Sequence, residues 1–184
     1  MGIREFRATT AFMSPRVRAA IERDLRQIVS LGMALWPDEP GPEIDEHMRA
    51  TLAGLPRSTL PLTLFVVEDS NDRLIGFIEV GLRSHADGCD GRQPVGFIEG
   101  WYVVPEVRGR GVGRALANAA EEWARQRGCI EIASDTWADN EASQLAHRAV
   151  GFEMVDRCVN FRKALMSETP ADSAVSVMKR VDTQ

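Results

Sequence analysis

The densest run of chemistry in the sequence is Val103-Val104-Pro105-Glu106-Val107-Arg108-Gly109-Arg110-Gly111-Val112-Gly113-Arg114. An apolar strand pattern ends there, glycines follow at alternate positions, and a helical pattern opens directly behind them. Backbone N–H groups of such a turn converge with the unpaired first-turn donors of the helix, which makes a site fit for a phosphate. Glycine belongs there because a Cβ would hold the phosphate off the backbone. A P-loop would need Gly-Lys-Ser/Thr, which the run lacks. A dinucleotide fingerprint begun at Gly109 and Gly111 meets Arg114 where its third glycine should stand, so Glu131 farther on is a coincidence of spacing. A turn that merely joins strand to helix is the plain alternative. Glu99 is the second feature, a charge flanked by Phe97, Ile98, Gly100 and Trp101. A carboxylate in so apolar a strand is costly unless paired, either by an internal arginine or by a ligand. Asp135 needs no more than an N-cap or an Asx-turn with Thr136, and His147 no more than a structural place on a helix. His85, Cys89 and Asp90 form one trio in a polar loop with no second cluster, so no metal is expected.

Positioning these residues requires a strand, a turn and a helix in the right order. A short strand is expected at Arg16 to Ala20. Asp24 then reads as the N-cap of an amphipathic helix carrying Leu25, Ile28, Val29, Gly32 and Leu35, ended by Trp36-Pro37. A second helix is expected over Glu43 to Leu55. Leu62 to Glu68 and Leu74 to Leu82 read as a hairpin around Asp69-Ser70-Asn71-Asp72. After a polar loop, Arg83 to Pro94, Val95 to Val104 is a long fourth strand stopped by Pro105. Gly111 to Arg127 is the strongest helical pattern, with Val112, Ala115, Leu116, Ala119 and Trp123 as its apolar stripe and Gly128 as its C′ residue. Cys129 to Ser134 is a short fifth strand, and Asp139 is placed to cap a helix through Ala149 that Gly151 closes. Two last strands are expected at Phe152 to Asp156 and Cys158 to Lys163. Helices and strands alternate only after a hairpin, which indicates an α/β (α+β) fold on a mixed sheet.

The 184 residues are 44% hydrophobic and 27% charged, which fits one globular domain with one core. Residues 1–14 read as an extension, 15–165 as the domain and 166–184 as a flexible tail. No apolar run reaches the ~20 residues that cross a bilayer, so no membrane partner is expected. The first fourteen residues lack a secretory h-region. Three scattered cysteines read as small buried hydrophobes of a reducing cytoplasm. A net charge of −5 argues against nucleic acid.

Arg108, Gly111 and Gly113 also satisfy Arg/Gln-x-x-Gly-x-Gly/Ala, and this resembles the acyl-CoA pyrophosphate loop of the Gcn5-related N-acetyltransferase (GNAT) superfamily. Asn140 and His147 ahead of Gly151-Phe152 resemble its late helix, with His147 where a tyrosine is common. Further strings resemble the aminoglycoside 6′-N-acetyltransferase branch: Leu35-Trp36-Pro37, Gly88-Cys89-Asp90, Pro94 to Gly100, Ala133 to Thr136 and Ser143-Gln144. The likeness runs from about Arg16 to Leu165. Ser84-His85-Ala86-Asp87 departs from it, since the branch tends to place an aromatic residue before Gly-Cys-Asp.

The resemblance implies a mostly antiparallel sheet splayed between strands four and five, with acetyl-CoA lying in the splay. Trp101, Tyr102, Val103 and Val104 would pair with its pantetheine arm through their backbone. Arg108, Gly109, Arg110, Gly111, Val112, Gly113 and Arg114 would hold the pyrophosphate, and Asn140 would touch the cofactor. Glu99 and Asp135 would hold the acceptor amine or take its proton directly or through water, and His147 would hydrogen-bond or protonate the sulfur. A strand N–H near Tyr102 or Val103 would meet the oxyanion. Trp36, Glu99, Asp135 and Asp156 would contact an aminoglycoside, Asp156 by reaching a neighbouring subunit of a homodimer. The implied reaction is direct acetyl transfer to the 6′-amine, conferring resistance. Transfer to another polyamine or peptide amine is the alternative enzyme reading, which a substrate panel separates. A non-catalytic acyl-CoA-binding module is the alternative outside enzymes, and two acceptor carboxylates disfavour it. The charge is divided accordingly: residues 105–128 hold five arginines against three acids, whereas residues 129–157 hold six acids against two arginines. Residues 37–48 hold five acids and no lysine or arginine.

Overall fold

The computed structural model describes residues 15–55 and 60–164. The expected extension and the tail from residue 166 lie outside the described residues. Five strands form one sheet in chain order: β1 (Val17–Ala19), β2 (Leu62–Glu68), β3 (Leu74–Arg83), β4 (Val95–Val103) and β5 (Ile132–Ser134). The first four are antiparallel, and β5 runs parallel to β4. The expected mixed, mostly antiparallel sheet is therefore present. Helices α1 (Leu25–Leu35) and α2 (Gly41–Leu52) cover one face, and α3 (Val112–Arg125) covers the other. Helix α4 (Glu141–Val150) follows β5.

Alternation along the strands feeds two cores. Leu64, Val66 and Phe77 pack with Ile28, Leu31, Ile44 and Met48 under α1 and α2. Val67, Ile78, Val80 and Ile98 pack with Leu116, Ala120 and Trp123 of α3. The buried stripe of α3 is turned slightly from the expected one. Ala117, Ala120 and Ala124 are buried, while Ala115 and Ala119 lie at its flank.

Two expected caps differ. Asp24 is helical in backbone and caps no α1 N–H. Its carboxylate is buried, accepting from the guanidinium of Arg18 at 2.6 and 2.9 Å and from the N–H of Ile21 at 2.9 Å. That guanidinium holds the Asp24 carboxyl well below the usual carboxylate range. A charge partner six residues back, on β1, outcompeted the cap. At α4 the cap is Asn140, whose side-chain oxygen accepts from Ser143 N–H at 3.0 Å, one residue after the expected Asp139. Gly128 and Gly151 close α3 and α4 with φ of 83° and 105°, as expected of C′ glycines.

The two expected last strands are not formed: residues 152–164 join no ladder and are mostly exposed. Their alternation qualifies them to pair, but among the described residues no strand is paired with them. Of the cysteines only Cys129 is buried; Cys89 is half-buried and Cys158 exposed. Burial and the nearby Glu131 push the Cys89 thiol up.

Candidate active site

The site is organised by one irregularity in β4. Glu79 of β3 pairs with Gly100, yet its neighbour Val80 pairs with Ile98, so Glu99 is an extra residue in β4. Such a bulge sends two consecutive side chains to one face. Ile98 and Trp101 both serve the α3 core, and Glu99 and Gly100 both face α1 and α2. A Cβ on Gly100 would come within 2.8 Å of the Trp36 ring, so the ring at the end of α1 fits only against bare backbone. The ladder from β4 to β5 covers only Gly96, Phe97 and Ile98, and the two strands part from the bulge onward.

On the α1 and α2 side, a cavity of about 550 Å³ is lined by Trp36, Glu39, Glu43, His47, Glu79, Arg83, His85 and Glu99 among others. Four carboxylates give it an acidic wall. Glu99 is clamped by Arg83, whose Nε and Nη2 donate to its two oxygens at 2.9 and 2.5 Å. Arg83 in turn stacks on Phe97, 3.3 Å from the ring centre. The arginine reading of Glu99 is thus correct as geometry, and the carboxylate still lines the cavity. Trp36 makes edge contacts with His47 and Phe77.

On the other side of the bulge, the run after β4 forms a 3₁₀ turn (Pro105–Val107) and then two left-handed glycines, Gly109 at φ 72° and Gly111 at φ 85°. Space around both is open, so a Cβ there would fill a cradle, not meet protein. Gly111 is the N-cap of α3 and offers no side-chain acceptor, leaving the first-turn N–H groups for a ligand. Arg108 donates to Val103 O at 2.9 Å and lies over the Tyr102 ring, and Arg114 donates to Ala149 O. These two arginines brace the turn against β4 and α4; Arg110 stands on its exposed tip. Val112 is buried, and Gly113 leaves room for the Trp101 ring, where a Cβ would sit 3.0 Å away. The indole N–H of Trp101 is buried without an acceptor among the described residues. An orphaned donor, an open glycine cradle and a parted strand edge together fit a phosphate-bearing, amide-rich chain such as CoA.

His147 stands where β4 and β5 part. Its ring is edge-on to Trp101 at 5.3 Å and to Phe152 at 5.4 Å. Nδ1 lies 2.8 Å from Ser143 O, and Nε2 lies 2.9 Å from Ser134 Oγ. A carbonyl can only accept, so Nδ1 carries the hydrogen, and the one hydrogen of the Ser134 hydroxyl has both His147 Nε2 and, at 3.4 Å, Ile98 O within reach. Ser134 is the last residue of β5, so its hydroxyl joins the helix to the parting point.

The structure does not bring every expected residue together. Asp135 follows β5, exposed, and does not line the cavity. Asp156 is exposed in the irregular segment after α4, where its Oδ1 accepts from Arg157 N–H. Asn140 spends its amide oxygen on the α4 cap. Val103 and Val104 pack into the cores, and Val104 N–H donates to Ile75 O. Glu131 accepts from Asp90 N–H at 2.7 Å, a loop tie that accounts for it without any fingerprint. Among the described residues no three His, Cys, Asp or Glu side chains are grouped to hold a metal ion.

Sequence reasoning counted Glu39 and Glu43 only among the five acids of residues 37–48, and it overlooked His47 and above all Glu79. The argument that singles out Glu99 applies equally to Glu79, the one charge in Leu74 to Leu82. Glu79 is 1% exposed.

Comparison with known proteins gives the lineage. Residues 26–152 match the Acetyltransferase (GNAT) family. A relative from Klebsiella aerogenes, named aminoglycoside N(6')-acetyltransferase type 1, is 41% identical over 83% of this chain and 98% of its own length. One of the same name from Stenotrophomonas maltophilia is 39% identical over 83% of this chain and 95% of its own. Among solved structures, AAC(6')-Iy in complex with the bisubstrate analogue CoA-S-monomethyl-acetylneamine superposes with a TM-score of 0.72 at 33% identity, covering 81% of this chain and 97% of that one. The AAC(6')-IG enzyme of Acinetobacter haemolyticus gives 0.73 at 31% identity, covering 82% and 99%. With a parted β4–β5 edge, a glycine turn opening α3 and relatives matched over nearly their whole length, the chain belongs to the GNAT acetyltransferase family.

Proposed function

We propose that the protein transfers the acetyl group of acetyl-CoA to the 6′-amine of aminoglycosides within a ternary complex, and so confers resistance. The observation that carries this is the double position of Glu99, in the wall of the acidic cavity and at the residue where β5 leaves β4. Bound acetyl-CoA supplies an acetyl thioester, a carbonyl activated toward amines. The residues of this chain do the rest. First-turn N–H groups of α3 and the cradle at Gly109 and Gly111 hold the pyrophosphate. The free edge of β4 beyond Ile98 takes the pantetheine as an added strand, and an N–H near Tyr102 or Val103 faces the oxyanion. Glu99, with the other acids of the cavity, holds the polycationic acceptor, Asp135 meets it from the end of β5, and Trp36 covers a sugar ring. The Ser134 hydroxyl, held beside the Nε2 atom of His147, turns its hydrogen to the departing sulfur.

The test is thiol release from acetyl-CoA with aminoglycosides that carry or lack a 6′-amine. Turnover is expected only with the former; equal turnover, or none, overturns the reading. Activity confined to other amines would favour the broader acetyltransferase, and CoA binding without any transfer a binding module.

The fine points of assembly belong to the same proposal. The functional unit is a homodimer in which residues 152–164 pair with a second copy, and Asp156 reaches that copy's acceptor. Support comes from the open outer edge of the three-residue β5 and from Val159 and Phe161, which are 77% and 94% exposed. Light scattering that gives a monomer mass would remove it. The setting is the cytoplasm, the source of acetyl-CoA; no described helix is long and apolar enough to cross a membrane.

A further inference from the structure

Among the described residues, the indole N–H of Trp101 is closed off from solvent and has no hydrogen-bond acceptor. A buried tryptophan ordinarily finds a partner for that hydrogen, because the indole can only donate and a dry donor without an acceptor is costly. Trp101 stands two residues past the extra residue of the bulge, opposite Ile78 of β3. Its ring packs against the α3 core and reaches between two helices. On one side is the first turn of α3, where a Cβ on Gly113 would sit 3.0 Å from Cζ2 and 3.7 Å from Nε1. On the other is α4, whose His147 meets the ring edge-on at 5.3 Å.

Neither neighbour takes the hydrogen. The start of a helix presents N–H groups, so the first turn of α3 adds donors beside the indole and no acceptor. His147 directs Nδ1 to Ser143 O and Nε2 to Ser134 Oγ. Donors gathered without acceptors select an oxygen-rich ligand. The same two neighbours say which part of that ligand lies at the ring. Gly113 follows Gly111 of the phosphate cradle by two residues, and His147 stands with Ser134 where β4 and β5 part. The indole therefore lies between the phosphate end and the sulfur end of the cofactor groove. The portion of CoA between its diphosphate and its sulfur is the pantetheine arm, whose amide carbonyls are strong acceptors. Main-chain pairing along a strand edge holds any extended amide chain. A side-chain donor at one fixed place also reads where along the arm a carbonyl falls.

We infer that the Trp101 side chain is a cofactor ligand, its indole N–H donating to an amide carbonyl of the pantetheine arm. This rests on the acetyl-CoA reading of the parted strand edge and adds a side-chain contact to the main-chain ones. In the free protein this hydrogen is already dry, so the bond to CoA replaces no bond between protein and water. The arm does not change during acetyl transfer, so the contact holds ground state and transition state alike. Its loss is expected to raise KM for acetyl-CoA and leave kcat unchanged.

The test follows the indole resonances of the four tryptophans in isotopically labelled full-length protein, with Trp101→Phe assigning the one in question. CoA is expected to move the Trp101 resonance downfield, and 3′-phospho-ADP, which lacks the arm, to leave it in place. A second variant, Trp101→3-benzothienylalanine, keeps the shape of the ring and exchanges only N–H for sulfur. By calorimetry it should bind CoA about 10-fold more weakly, as fits a hydrogen bond lost from a dry site. Its melting temperature without cofactor should not fall, because an unanswered donor is removed, while the rise that CoA adds should shrink. Wild-type CoA affinity in that variant, or a Trp101 resonance unmoved at saturating CoA, overturns the inference and leaves the acetyl-CoA reading intact. An equal shift with 3′-phospho-ADP gives the hydrogen to a phosphate and overturns the pantetheine contact. A wild type that binds no CoA overturns both.

Discussion

The two halves of the site are built from different materials. Trp101 aside, the proposed cofactor side is written in backbone: open N–H groups at the start of α3, two left-handed glycines, and a β4 edge that beyond Ile98 is left by β5 among the described residues. Its arginines mainly brace the turn. The proposed acceptor side is written in side chains drawn from α1, α2, β3 and β4, with a carboxylate–arginine pair and a carboxylate–histidine pair side by side. A group shared by every turnover can be held by generic main-chain geometry. A varied, polycationic acceptor is sorted by charges whose placement depends on the tertiary fold. The backbone half should therefore tolerate side-chain exchange but not a change of conformation, and the cavity half the reverse.

Gly111→Val should cut kcat/KM for acetyl-CoA by more than 100-fold, since it fills the cradle and forces a β-branched residue to φ 85°. Titration with CoA alone should show the same loss, and unchanged CoA affinity would break the division proposed. Next in size is Glu99→Gln, expected to lower kcat/KM for the acceptor by about 10-fold to 100-fold with CoA affinity intact, in keeping with a contact to charge lost in a part-buried site. If CoA affinity fell instead, the bulge would belong to the cofactor half. Gly100→Ala drives a Cβ to within 2.8 Å of Trp36, so acceptor KM should rise several-fold as the ring is displaced. Tryptophan fluorescence can follow that movement. The smallest effect on turnover is expected from Asp24→Asn, remote from both halves. Rates at neutral pH should not change. The folded carboxyl of Asp24 is held low, so its pair with Arg18 stabilises the protein above the unfolded value near 3.8 and that stabilisation fades as pH falls through the lower folded value. Acid unfolding of the variant should accordingly show a flatter pH dependence than wild type, read by circular dichroism.

Backbone features of this molecule were legible because glycine and proline report conformation locally. The turn before α3, the ends of α3 and α4 and the β2–β3 hairpin follow from residues within a few positions of them. Side-chain convergence was not. His47 reads as one polar position on α2, and only the pairing of β3 with β4 beside α2 puts it against Glu79. Asp24 fails as a cap for the same reason, because Arg18 and Glu68 are strand residues brought to it by the β1–β2 ladder. The segment after α4 marks another limit: alternation states that a stretch can pair, and only a neighbouring strand decides whether it does.

The bulge in β4 has a consequence for how such a site can arise. Ile98 and Gly100 would alternate regularly if joined directly, and every pairing on either side would stand as it does now. Glu99 is in that sense an insertion that leaves both halves of the strand in phase. A chain without it would form a more regular sheet with the same two cores and no carboxylate at the parting of β4 and β5. Scaffold and chemistry are thus separable by a single codon, so lineages on this fold can gain or lose an acceptor acid without renegotiating how they fold.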